Sequence, residues 1–339
     1  MGNINIGEDI RRRKQRWLDL YDGKINSVLL LSLNCGERAL PYPENKNKRI
    51  EYGINSYRIY LDAIEKNSGD DRVPALSPYT GTEIFARAFG CEVHYPGNDM
   101  PFALPFVKNS KDLAKVKYPD LYNSRTICEI VEIADKLREA EPDALMQLPD
   151  IQSPLGIAAL IWNKEDFFAS MYEDPEAVKE LVAMTEKFLI EFLDFWFERY
   201  GGEFMAHFPD YYMPYGITLS EDEVGAVSPG MFREFSLGSL NRLSERYGMF
   251  GMHCCADAEH QWEDFKNIKN LKLLNFVHNP GVCEKAYIFF KDVCAQMHSA
   301  NIDKEIFDKN KNMRVVISEW ADNAEQAAEK SLLRNYVTM

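Results

Sequence analysis

A chain of 339 residues, 46% hydrophobic and 12% aromatic, is long enough to bury a large core and too apolar to be disordered. Its 39 Lys and Arg against 53 Asp and Glu give a formal charge of −14, which argues against non-specific binding to nucleic acid or an anionic membrane surface. No run reaches the roughly 18 apolar residues of a membrane span. The seven cysteines, an odd number in a long chain, suit free or metal-bound thiols rather than a disulfide framework.

The first predicted element is a charged, amphipathic helix over IRRRKQRWLDLYDGK (10–24), followed by a buried strand, SVLLLSL (27–33). Basic residues ahead of an apolar run imitate a secretion signal, but the run starts too late and has no small-residue cleavage site, so a cytoplasmic protein is expected. Residues 34–120 are rich in Pro and Gly and periodic only in patches, and read as a long insertion with a short helix near 81–89. A helix follows near 123–139, then the run ALMQL (144–148). Ser153 and Pro154 open a helix near 153–162, and Asp174 and Pro175 open the clearest helix, 175–199, which Gly201 and Gly202 end. The runs EFMAHF (203–208), MFGMHC (249–254), LKLLNFV (271–277), VCAQM (293–297) and RVVIS (314–318) complete the strands. Helices lie among them at 229–247, between Ser228 and Gly248, and near 260–267, 284–290 and 322–334. This alternation predicts a parallel sheet with right-handed crossovers. The preferred architecture is a single (β/α)8 TIM barrel domain over 1–339, with 1–80 as an N-terminal helical and loop elaboration that includes the first barrel strand.

The polar residues that follow the strands point to a site. Asn34 and Cys35 end the first run, and Asp150 follows the second. His207 and Asp210 mark the third, His253, Cys254 and Cys255 the fourth, His278 the fifth, His298 the sixth and Glu319 the seventh. Four of the six histidines thus fall at predicted carboxyl ends, where a barrel builds its active site; an open doubly wound sheet would gather only part of them. In His253-Cys254-Cys255 the strand period of two aims His253 and Cys255 to one side, as two ligands of a Zn²⁺ ion, with His278, Glu319 or His298 completing the set. The plainer reading is a hydrogen-bonded histidine beside two small buried thiols. Asp150, in LPDIQSPLG, and Asp210, in HFPDYYMPYG, are candidate catalytic carboxylates for proton handling, or caps of their turns. His207, Tyr211, Tyr215 and Asn34 are candidate substrate contacts, with Tyr212 in the same aromatic cluster. His94 is expected in a local ribbon, and Cys91, Cys128, Cys283 and Cys294 as ordinary buried thiols. A Gly-rich phosphate loop, an HExxH and a GxSxG are all missing, which weighs against nucleotide-driven enzymes, zinc proteases and α/β-hydrolases.

The segments GTEIFARAFGCEVHYPGNDMPFALPFVKNSKDLAKVKYPDL (81–121), DIQSPLGIAALIW (150–162), SEDEVGAVSPGMFREF (220–235) and MFGMHCCAD (249–257) resemble the uroporphyrinogen decarboxylase superfamily. The likeness runs from about 80 to 335 and implies a (β/α)8 barrel. The decarboxylases carry a motif resembling M-R-Q-A-G-R-Y that grips propionates; here LNCGERALPYPENKN (33–47) echoes it only around Gly36, Arg38 and the Leu-Pro that follows. The corrinoid-dependent methyltransferases of the same superfamily have a His-x-Cys zinc motif, which His253 and Cys255 match. Their third ligand is typically a Cys on the last strand, where this chain reads VVISEWAD and offers Glu319; the harder ligand set suits an oxygen-bearing methyl donor such as a methyl ether. The resemblance therefore implies a zinc-dependent methyltransferase that moves a methyl group between a small molecule, or thiol, and a corrinoid. Because no D-x-H-x-x-G corrinoid signature is present, the corrinoid would ride on a partner protein; a homodimer is a further implication. Two alternatives stay open. One is a metal-free lyase of the uroporphyrinogen decarboxylase type, with Asp150 or Asp210 stabilising a protonated pyrrole. The other is a non-catalytic barrel that binds a tetrapyrrole or corrinoid protein.

Overall fold

A computed structural model describes residues 5–66 and 69–333. Asn5 caps the opening helix, Ile6–Tyr21, by accepting the Glu8 N–H. Its Arg13 is fully buried between Asp9 and Asp70, and Trp17 donates its indole N–H to the Asp71 carbonyl at 2.8 Å. These contacts fix the helix against the chain that leads into the second strand. Its last turn meets strand amino ends: the Tyr21 hydroxyl donates to the Tyr212 carbonyl, and Arg314 donates to the Tyr21 carbonyl.

The described strands are β1 (Ser27–Leu33), β2 (Ala75–Leu76), β3 (Glu92–His94), β4 (Phe102–Leu104), β5 (Leu145–Gln147), β6 (Glu203–Met205), β7 (Tyr212–Pro214), β8 (Gly216–Ser220), β9 (Met249–Cys254), β10 (Leu271–Phe276), β11 (Ala295–Gln296) and β12 (Arg314–Ala321). Six of them form an all-parallel sheet in the order β1-β12-β11-β10-β9-β8. A second sheet runs β2-β5-β6-β7, parallel except for its last pair. At one seam between the sheets the Asp71 N–H donates to the Leu29 carbonyl at 2.7 Å. At the other, Gln152 and Ser220 form a parallel bridge. The ladders are therefore two arcs joined by short contacts, where the sequence predicts one ring of eight strands. β3 and β4 pair as the separate ribbon expected around His94.

Helices cover the strands, so strands such as β1 are nearly continuous apolar runs rather than alternating ones. The long helix spans Pro175–Tyr200 and buries Val178, Leu181, Val182, Phe188, Leu189, Phe192 and Trp196, as its periodicity requires. Gly201, at φ +96°, ends it in a conformation that a Cβ would oppose. Asp174 precedes this helix but makes no side-chain cap bond.

Three helical segments depart from the sequence expectation. Lys46–Glu65 is a 20-residue helix inside the presumed insertion. Its buried face mixes Arg49, Gly53 and Ser56 with Tyr57, Ala63 and Ile64, while Ile50, Ile54 and Leu61 pack against the core; a Cβ on Gly53 would stand 2.7 Å from Leu137. Lys164–Glu173 is also helical. The predicted 229–247 helix holds a π-helical turn at Arg233–Leu237, between Pro229–Phe232 and Gly238–Tyr247. Among the described residues no helix is long and apolar enough to cross a membrane.

Candidate functional site

The carboxyl ends of β8 and β9 lie side by side, with Ser220 in register with His253. Asp222, two residues beyond β8, therefore comes beside His253 and Cys255, and one ligand atom from each lies within 4.8 Å of the others. The Cys255 N–H donates to Asp222 Oδ1 at 2.6 Å, tying the two loops together. Asn275 on β10 sets the state of the histidine. Its amide nitrogen donates to the Met297 carbonyl, so its Oδ1 faces His253 Nδ1 at 2.5 Å and accepts a hydrogen bond from the Nδ1–H. His253 thereby keeps Nε2 as its lone-pair nitrogen, the tautomer a metal ligand needs. Burial, reinforced by the Asp222 carboxylate, pushes the Cys255 thiol up to about 12. A cation among the three would relieve that opposition, because coordination holds a thiol in its thiolate form. A carboxylate, an imidazole and a thiol that converge on one point suit a zinc ion with an open position. Among the described residues this is the group of metal-ligating side chains that meets.

The loop between β6 and β7 crosses the same end of the sheet. His207 Nε2 lies 3.5 Å from Asp150 Oδ2, and Asp150 is held by Gln152 Nε2 at 2.7 Å, while its own N–H donates to Thr80. Burial lowers the His207 pKa, opposed by Asp150, and the ring stacks on Tyr79 at 6.3 Å. Tyr79 holds a left-handed φ of +38° and carries the Arg38 guanidinium 4.3 Å over its ring. Phe208, 56% exposed, sets its ring edge-on to His253 at 5.0 Å. Asp210 pairs with Arg72. A cavity of about 370 Å³ opens beside this loop, lined by Cys35, Arg38, Tyr60, Arg72, Gln147 and Asp210 among others. Glu83, near enough to Asp150 to feel its charge, is buried with one carboxyl oxygen unpartnered, and burial raises it to about 7. Glu221, next to Asp222, is wholly buried and raised to about 8 by burial; Ser236 in the π-helical turn donates to it at 2.6 Å.

The sequence matches the uroporphyrinogen decarboxylase (URO-D) family over residues 75–296. The chain belongs to the uroporphyrinogen decarboxylase family. Among solved structures it is similar to a methyltransferase from Methanosarcina mazei, with a TM-score of 0.67 at 15% identity, over 96% of this chain and 99% of that one. At that identity the likeness speaks for the fold. No curated protein sequence matches the chain.

Within this uroporphyrinogen decarboxylase fold the residues singled out from the sequence separate clearly. His253 and Cys255 meet, as the strand period requires. His278 and Glu319 do not join them. His278 donates its Nε2–H to the Ala256 carbonyl at 2.7 Å, and Glu319 is bound by Lys330 and Asn301. His298 is a core histidine: its Nδ1 accepts the Phe276 N–H, its Nε2 donates to Gln296, and burial pushes its pKa down to about 3. Asp150 and His207 meet at the strand ends, while Asp210 is engaged by Arg72. Tyr211 and Tyr215 are misplaced by the sequence reading, because the chain reverses along antiparallel β7. Tyr211 is 1% exposed, packed between Trp17 and Gly251, and Tyr215 lies at the amino end of β8, away from the site. Asn34 accepts the Gly36 N–H and shapes the turn after β1 rather than lining the cavity. Cys91, Cys283 and Cys294 are buried as expected; Cys128 is exposed, on the outer side of the helix Arg125–Ala140.

Asp222, Asn275, Arg72 and Glu83 are absent from the sequence reading. Asp222 had a usable signal. GITLS (216–220) is a short β-branched run, and the acidic pair that follows obeys the same strand-end rule as the other candidates.

Proposed function

We propose that this family member is a zinc-dependent methyltransferase that moves a methyl group between a small methylated molecule, or a thiol, and a corrinoid carried by a separate protein. The convergence of Asp222, His253 and Cys255, with the histidine tautomer set by Asn275, carries the reading. Asp222, His253 through Nε2 and Cys255 would hold the ion, which supplies Lewis acidity toward the departing group of the methyl donor. An Asp in place of a second thiol hardens the ligand set and favours an oxygen-bearing donor. Asp150 and His207 form the proton-handling pair: the carboxylate orients the imidazole and stabilises its charged form when it takes up a proton. The nearby cavity would receive the small molecule. We further read the two arcs as one (β/α)8 barrel domain, acting in the cytoplasm and able to pair with a second copy.

Purified protein is incubated with methoxylated small molecules and cob(I)alamin, and methylcobalamin is followed by its absorbance, with uroporphyrinogen as a parallel substrate. The reading requires methylcobalamin from the native protein and none from Asp222→Asn, His253→Ala or Cys255→Ser. Coproporphyrinogen formation that survives these substitutions would establish the lyase instead.

A further inference from the structure

The six residues between β6 and β7 tie the strand ends together from above. In this strap His207 reaches Asp150 beyond β5, Phe208 lies against His253 of β9, and Asp210 reaches Arg72 ahead of β2. The partners of the last contact differ in their freedom to move. Arg72 is anchored: Nε donates to the Leu31 carbonyl, Nη2 to Ser32 Oγ at 2.8 Å, and its guanidinium lies 4.7 Å from the Tyr60 ring, with the side chain 4% exposed. Asp210 is 40% exposed, sits on the loop and holds Arg72 through one oxygen.

A buried guanidinium that loses its counter-ion is costly, so Arg72 retains Asp210 until another anion takes its place. Among the described residues Asp210 is the one carboxylate paired with Arg72. Both line the cavity, together with Arg38, which lies over Tyr79 and Tyr52 and forms no ion pair among the described residues. The cavity thus offers two guanidinium groups against one movable carboxylate. Tyr52, Tyr60 and Trp320 add aromatic faces to its lining.

We propose that Arg72 is a carboxylate-binding site which Asp210 occupies in the free chain, and that a small aryl carboxylate entering the cavity displaces Asp210 and releases the strap. The ligand class follows from the group it replaces, a carboxylate on a guanidinium fork, and from the aromatic lining. Release frees Phe208 from His253 and joins the cavity to the space around Asp222, His253 and Cys255. The Arg72 site itself does not rest on a metal being bound there.

Trp320 reports on the cavity. It is 54% exposed, whereas Trp17, Trp162, Trp196 and Trp262 are between 0% and 5% exposed. Full-length protein without added metal is titrated with benzoate, acetate and inorganic phosphate while tryptophan fluorescence is read. Benzoate is expected to bind saturably and more tightly than acetate or phosphate, and Asp210→Asn and Asp210→Ala to tighten benzoate binding several-fold by removing the internal competitor. Hydrogen exchange across 206–211, where the Ala206 N–H donates to the Tyr211 carbonyl, is expected to speed up with benzoate, and to be fast in Asp210→Asn without it. Ordinary ligand protection would slow it. The proposal is overturned if none of the three anions binds, if phosphate binds more tightly than benzoate, if both Asp210 variants leave benzoate affinity unchanged or weaker, or if benzoate slows exchange in the strap.

Discussion

Asn275→Ala tests how the candidate metal site is held. The asparagine is 4% exposed and joins two buried partners, accepting from His253 Nδ1 and donating to the Met297 carbonyl. Truncation leaves both unpaired, at about 1–3 kcal/mol each, so global stability should fall by about 2–6 kcal/mol. Zinc affinity should fall by about 10- to 100-fold, or roughly 1.4–2.7 kcal/mol, because the imidazole loses the bond that fixes its tautomer and ring orientation. Asn275→Asp separates the two effects. It keeps an acceptor for Nδ1–H but no donor for Met297, so affinity should recover while stability does not. Zinc affinity is measured by competition with a chromophoric chelator, and stability by urea unfolding with zinc removed. If Asn275→Ala binds zinc as tightly as the native protein, or if Asn275→Asp loses as much affinity as the alanine, the tautomer argument is wrong.

Other expectations follow from the same geometry. Asp222→Asn should abolish stoichiometric zinc binding with little loss of fold, read by metal analysis beside circular dichroism. Gly251→Ala puts a Cβ 2.0 Å from the Tyr211 hydroxyl oxygen and should cost about 1–3 kcal/mol by urea unfolding, partly restored in the double variant with Tyr211→Phe. His298 sits near 3 when folded, below its ordinary unfolded value of about 6.5. The unfolded chain then binds more protons, so stability should fall as pH drops through that window, and His298→Gln should flatten that limb of the urea-midpoint profile. Glu83 behaves oppositely. Its folded value of about 7 exceeds the usual 4.3 or so, so the stability it contributes at low pH is lost as pH rises through that interval, and Glu83→Gln should remove the loss.

The parts of the fold carried by long periodic segments were legible in the sequence, with the helix Pro175–Tyr200 and strands β1, β9 and β10 as examples. The helix Lys46–Glu65 was missed although Ile50, Ile54, Tyr57, Leu61 and Ile64 recur at helical spacing, because Arg49, Gly53 and Ser56 share its buried face and dilute the apolar signal. β7 and β8 were hidden by their brevity and by the tight reversal at Tyr215, whose φ of +54° no composition signal announces. That omission removed Asp222 from view and placed Tyr211 and Tyr215 at the wrong end. Half of the candidate site was readable, since His253 and Cys255 share a strand and need only a period of two. The remainder depends on which strands are neighbours. Asp222 arrives through β8–β9 pairing, Asn275 through β9–β10 pairing, and Arg72 meets Asp210 across 138 positions of sequence.

The central claim is a metal held by three named side chains. Protein prepared with zinc and crystallised for anomalous diffraction at the zinc edge addresses it directly. One ion per chain is expected, bound by the Asp222 carboxylate, His253 Nε2 and Cys255 Sγ, with a Zn–S distance of about 2.3 Å and Zn–N of about 2.0 Å. A zinc-free map at these residues, or an ion held elsewhere in the chain, contradicts the account.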